Sequence, residues 1–159
     1  ALLNQHEAGL RPTLDTNGPM VTVRRHVPVD WTDYNGHMNE GRYGQVFSDA
    51  ADAVMVHVGA DAAYIKAGKS YFTVETAVKY LQETHAGSVV EVHSKVTVGA
   101  GKKLGLFHEM RRLDGTVLAT CDQLMIHVDL ETRRSSLPTG DVQIKVEALA
   151  AAFKSEDML

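Results

Sequence analysis

The chain has 159 residues, 44% hydrophobic and 23% charged, with a formal net charge of −4. That length suits one domain, which buries roughly 70% of its unfolded surface and needs no staples. The acidic balance argues against a nucleic-acid partner, and no apolar run approaches the ~18 residues of a membrane span, so the chain reads as a soluble protein with no membrane partner.

One cysteine, Cys121, excludes an internal disulfide and fits a buried thiol in a reducing compartment, which makes the cytoplasm the expected location. The first residues show no basic head followed by an apolar stretch, so no secretory signal is read there. The chain opens on Ala1 rather than Met, which fits a processed start, a truncated start or a piece of a longer fusion.

Residues 1–20 are polar, carry Pro12, Pro19 and the turn pair Asn17-Gly18, and predict an extended lead-in to a single domain over 21–159. Residues 21–27 alternate and predict the first strand, which ends near Pro28. The run D-W-T-D-Y-N-G-H-M-N over 30–39 follows at once.

From about Asn39, Tyr43, Val46, Phe47, Ala50, Val54, His57 and Val58 recur at helical spacing. Asn35 or Asn39 can cap this helix, Glu40 complements its positive end, and Gly59 stands where it would stop. A short helical or irregular bridge is expected over 61–68.

The period then changes to two. Phe72, Val74, Thr76, Val78 and Tyr80 predict one strand face; Val90, Val92, Val96 and Val98 predict the next, after a turn at His85. Gly99-Ala-Gly-Lys-Lys closes a hairpin into 104–112, and Asp114-Gly115 closes another into 117–129. Pro138 and Gly140 break the chain before a terminal amphipathic helix carrying Val142, Val146, Leu149 and Phe153. This order predicts an α+β fold, a curved antiparallel sheet around one long helix, with exposed strand edges that invite a second copy.

The chemistry concentrates in residues 30–39. An acid three residues before a Gly, at a strand-to-helix joint, sets a base beside backbone N–H donors, the equipment for attacking a carbonyl. The competing reading is that Asp33 merely makes a turn and caps the helix. His37 reads either as an orienting residue or as a helix-end hydrogen-bonding group. The eight histidines are scattered, without H-x-x-x-H or H-E-x-x-H, so no metal site is expected. The glycines of 99–101 superficially suggest a phosphate loop, but a P-loop needs a following helix, and here strands lie on both sides.

Strand, D-Y-N-G-H-M-N, helix with R-Y early in it, then meander: this order resembles the hotdog-fold acyl-CoA thioesterases of the 4-hydroxybenzoyl-CoA thioesterase type, over about 21–129. The resemblance implies that Asp33 is nucleophile or general base and that Gly36 permits the tight turn. It implies that His37, Met38 and Asn39 offer N–H groups or side chains to the substrate, with Tyr43 one helical turn inside. It also implies no cofactor beyond the coenzyme A of the substrate, whose phosphates would meet Lys102, Lys103 or Arg111, and a homodimer or tetramer.

Trp31 stands where many members hold an Asp. The longer match W-x-D-Y-N-G-H-M-N-E-x-x-Y resembles the betainyl-CoA thioesterases of carnitine degradation, which also occur fused to carnitine dehydrogenases. Trp31, Tyr34 and Tyr43, with Tyr71 and Phe72, are expected to cage a quaternary ammonium by cation–π attraction. Thr73 and Glu75 are candidates to point into the site, although alternation leaves their face open. Two alternatives stand beside this reading. Asp33, Asn35 and His37 partly match the D-x-N-P-x-H of hotdog enoyl-CoA hydratases, with the wrong spacing and no Pro; a non-catalytic acyl-CoA-binding module would tolerate loss of Asp33.

Overall fold

The computed structural model describes residues 20–157, so all of the expected lead-in except Met20 lies outside the described residues. Strand β1 (Met20–His26) leads through a single 3₁₀ turn (Val29–Trp31) to the long helix α1 (Glu40–Val58). A short helix α2 (Ala62–Lys66) bridges to β2 (Lys69–Tyr80), β3 (Val89–Ala100), β4 (Lys103–Arg112) and β5 (Val117–Asp129). The two-residue β6 (Arg134–Ser135) pairs with β5, and helix α3 (Gly140–Asp157) follows. The strands pair antiparallel in the order β1-β3-β4-β5-β2. This curled sheet around α1 is the hotdog architecture.

Helix α1 forms where its sequence says it should. The Asn39 side chain accepts from Gly41 N–H at 3.0 Å, Glu40 lies in the positive first turn, and Gly59 ends the helix at φ 91°. Tyr43, Val46, Phe47 and Ala50 are buried against Val90, Val92, Met110 and Cys121 of the sheet. Each such Val or Phe contributes about 1.5–3 kcal/mol of burial energy. The second half of the helix, through Val54 and Val58, shares a core with Val142, Val146 and Leu149 of α3. That terminal helix lies so close to β3 that a Cβ on Gly99 would stand 2.6 Å from the Val146 carbonyl oxygen. Glycine is required there for contact, not for a turn.

Two strand faces differ from the alternation expected of them, and β-bulges are the reason. Val74 is skipped in the pairing of β2 with β5, so Phe72 and Val74 do not share a face with Thr76, Val78 and Tyr80. Thr97 is skipped in the pairing of β3 with β4, which turns Val98 outward while Val90, Val92 and Val96 stay buried. Strand β2 is also an edge, and Phe72, Val74, Tyr80 and the following Leu81 are all exposed.

A polar chain crosses the core. Thr22 Oγ1 lies 2.7 Å from Ser94 Oγ, Ser94 Oγ lies 2.6 Å from His108 Nδ1, and His108 Nε2 lies 2.8 Å from Gln123 Oε1. The His108 ring stacks on Phe47 and is wholly buried. No described helix is long and apolar enough to cross a membrane.

Candidate active site

The joint between β1 and α1 closes on itself. Asp33 N–H donates to His37 O at 2.9 Å and Gly36 N–H to Asp33 O at 3.0 Å, with Gly36 at φ 78°, where a side chain would be strained. Asp33 Oδ1 accepts from Asn35 N–H at 2.9 Å and from His37 N–H at 3.1 Å. Its Oδ2 has no hydrogen-bond partner among the described residues, and the side chain is exposed. The turn expected of Asp-x-Asn-Gly is therefore real, and it uses one of the two carboxylate oxygens.

The segment after the turn is tied down on both sides. Met38 N–H donates to Thr84 O at 2.7 Å and Asn39 N–H to Trp31 O at 2.8 Å. The Tyr43 hydroxyl donates to Thr84 Oγ1 at 3.0 Å, so α1 and the connection between β2 and β3 are clasped through one buried threonine. Between them opens a cleft of about 260 Å³, lined chiefly by His37, Met38, Glu40, Tyr43, Tyr80 and Glu83. Asp33 is not itself among the lining residues; it is linked to the cleft through the N–H of His37, which is.

Several expected donors are spent. The N–H groups of His37, Met38 and Asn39 all bind oxygens of the chain itself, and the Asn39 side chain caps the helix. The Glu40 N–H, at the first helical position, finds no acceptor among the described residues. Glu40 also acts on Tyr80, whose phenol pKa is raised, first by burial and then by the Glu40 charge. Tyr80 meets Tyr43 edge to face at 5.2 Å.

Of the aromatic cage expected from Trp31, Tyr34 and Tyr43, with Tyr71 and Phe72, only Tyr43 lines the cleft. The Trp31 ring is taken by the guanidinium groups of Arg42, at 5.2 Å, and Arg25, at 5.5 Å. Tyr34 stands fully in solvent, and Tyr71 is buried beside His127 in the other half of the core. Phe72 is exposed on the β2 edge. The aromatics that line the cleft are Tyr43 and Tyr80.

Glu75 pairs with Leu124, one step out of line with the buried row of Cys121, Gln123, Met125 and His127 on β5, so it faces away from the core, whereas Thr73, opposite Met125, faces it. Lys102, in the hairpin turn, and Lys103, the first residue of β4, stand roughly 30 Å of extended strand from the far end of β4. That far end carries Arg111, paired with Glu109 at 2.6 Å, and Arg112, whose Nη2 donates to Glu83 O at 2.9 Å. Arg112 is thus the cation brought to the cleft rim.

Sequence spacing missed Tyr80, Glu83, Thr84 and His85, because their approach to the Asp33 turn depends on pairing across more than forty residues. His37 and His85 oppose each other in an isolated antiparallel bridge, with ring centroids 4.9 Å apart. His37 Nε2 lies 3.1 Å from Glu83 Oε2, and ligating atoms of His37, Glu83 and His85 all fall within 4.8 Å of one another.

Curled sheet, long helix and an acid in the joint between them define a class: residues 27–153 match the Thioesterase-like superfamily, and the chain belongs to that family. Over 159 aligned residues it is 43% identical to the L-carnitine dehydrogenase/betainyl-CoA thioesterase of Ruegeria pomeroyi, covering 96% of this chain and 32% of that protein. It is 37% identical over 138 residues to the betainyl-CoA thioesterase of Pseudomonas aeruginosa, covering 86% of this chain and 87% of that one. The chain thus spans about a third of the length of the two-activity relatives it matches. A Staphylococcus aureus protein solved in complex with CoA shares the fold at TM-score 0.78 and 25% identity, covering 81% of this chain and 82% of that one.

Proposed function

We propose that this chain hydrolyses a small acyl-CoA thioester, betainyl-CoA first among them, to the free acid and coenzyme A. The observation that carries the reading is the Asp33 turn, which fixes one carboxylate oxygen with two N–H groups and leaves the other open beside a cleft. Two routes use that oxygen. In one, Oδ2 attacks the thioester carbon, CoA leaves as thiolate, and water then cleaves the mixed anhydride to restore the carboxylate. In the other, Asp33 takes a proton from the water that attacks. Either way the oxyanion would lie near the Glu40 N–H at the positive end of α1, a kind of contact whose loss typically costs about 10²–10³ in rate.

The cleft also supports the acyl group. Its volume of about 260 Å³ suits a group the size of trimethylglycyl but not CoA, which would lie outside with its phosphates toward Arg112. Tyr80 and the carboxylates of Glu40 and Glu83 suit a quaternary ammonium better than the Arg-covered Trp31 does. The exposed edge of β2, with Phe72, Val74 and Leu81, supports a homodimer. The lone buried Cys121 fits the cytoplasm.

A thiol-release assay across an acyl-CoA panel tests the reading. Betainyl-CoA is expected to exceed its uncharged isostere, tert-butylacetyl-CoA, by about 10-fold or more in kcat/KM, the scale of a partly desolvated cation–π contact. Equal turnover of the two would remove betaine from the assignment, and no thiol release from any acyl-CoA would remove the hydrolase.

A further inference from the structure

We propose that His37, Glu83 and His85 form a binding site for a divalent transition metal of the zinc type, which pins the Asp33 turn to the connection between β2 and β3. The geometry arises from the backbone. His37 and His85 are direct partners across an antiparallel bridge, so their side chains leave the ribbon on the same side. Glu83, two residues before His85, brings its Oε2 within 3.1 Å of His37 Nε2 on that side. A second tie, Met38 N–H to Thr84 O at 2.7 Å, holds the two segments in this register.

The donor set is two imidazoles and a carboxylate, which together select zinc and its neighbours over magnesium or calcium. A zinc ion bound at about 2.0–2.2 Å places tetrahedral ligand atoms roughly 3.5 Å apart. Present separations within 4.8 Å close to that value by side-chain rotation, which the exposed Glu83 and His85 have room to make. Among the described residues the His37 imidazole hydrogen-bonds only Glu83, and that of His85 meets only the His37 ring, so binding breaks no competing hydrogen bond. Three protein ligands leave a fourth position for water.

The consequence is local. The His37 N–H donates to Asp33 Oδ1, so an ion on the His37 ring would stiffen the turn through the residue that holds the carboxylate. Hydrolysis at Asp33 needs nothing from the ion, but an ion on Glu83 would take up a carboxylate that faces the acyl cleft, so the acyl-CoA panel is run in chelator and the two proposals are tested separately.

The test is a calorimetric titration of untagged, chelator-treated full chain with zinc chloride and, in parallel, magnesium chloride. One zinc site of micromolar or tighter affinity is expected, with no saturable heat from magnesium and a higher melting temperature with zinc. His85→Ala should weaken zinc binding at least about 10-fold while thiol release in chelator and the unfolding midpoint stay unchanged. Asp33→Asn should bind zinc like the parent. Absence of saturable zinc binding, or undiminished binding by a folded His85→Ala, overturns the site.

Discussion

Two histidine clusters in this chain use similar partners at similar distances and come to opposite ends. At the rim, His37 lies 3.1 Å from Glu83, with His85 beside it, in reach of water. In the core, His108 bonds Ser94 and Gln123 at 2.6 and 2.8 Å with no exposed surface. Burial holds the His108 pKa down, to about 4, against a smaller opposing effect of the Gln123 bond. The ring is therefore neutral at pH 7, and the network assigns its proton to Nε2, which donates to Gln123 Oε1 while Nδ1 accepts from the Ser94 hydroxyl. A serine beside a histidine is no nucleophile where neither water nor substrate arrives. Solvent access separates the two clusters: the exposed one borders the cleft next to the Asp33 turn, and the buried one is closed to any substrate.

The largest expected effect sharpens that contrast. Asp33→Asn should lower thiol release by about 10²–10⁴-fold, the usual worth of a positioned base, measured as kcat/KM. Its urea midpoint should barely move, because the Asn oxygen still accepts from the Asn35 and His37 N–H groups. Next in size, His108→Leu should cost about 3 kcal/mol by orphaning Gln123 Oε1 and leaving Ser94 only its bond to Thr22, with activity per folded molecule kept. Loss of activity without loss of stability there would break the comparison.

A pH effect of about 2 kcal/mol between pH 7 and pH 5 follows from His108. Below about pH 6.5 the unfolded chain binds a proton that the folded chain refuses until about pH 4, so stability falls as pH drops through that window and levels off beneath it. Urea midpoints at pH 7 and pH 5 should differ for the parent and differ less for His108→Leu. His127, lowered chiefly by burial, keeps a residual slope of the same sign. The smallest effect is a silence: the Cys121 thiol, pushed up to about 12 chiefly by burial, should resist iodoacetamide at pH 8 until the chain unfolds.

Much of the fold was legible because its signals are local. Asn39, the apolar stripe from Tyr43 to Val58 and Gly59 mark both ends and the buried face of α1, and Asp114-Gly115 marks its hairpin. The bulges at Val74 and Thr97 were not legible, since one extra residue reverses a strand's faces without any mark in composition. At the site, the position of Asp33 and its turn could be read from Asp-x-Asn-Gly. The spent N–H groups, the arginines on Trp31 and the meeting of His37 with His85 could not, because each depends on what a distant segment brings. Spacing rules for metal ligands see only neighbours within one helix or hairpin.

The hydrogen bond from Gly36 N–H to Asp33 O has one more effect, on how the molecule ages. Asn-Gly is the peptide most prone to deamidation, which begins when the glycine nitrogen sheds its proton and attacks the asparagine amide carbon. In this turn that proton is engaged at 3.0 Å, and the bond that shapes the loop also slows its chemical clock. A chain that loosens here would convert Asn35 to isoaspartate, adding a charge and a backbone carbon two residues from Asp33.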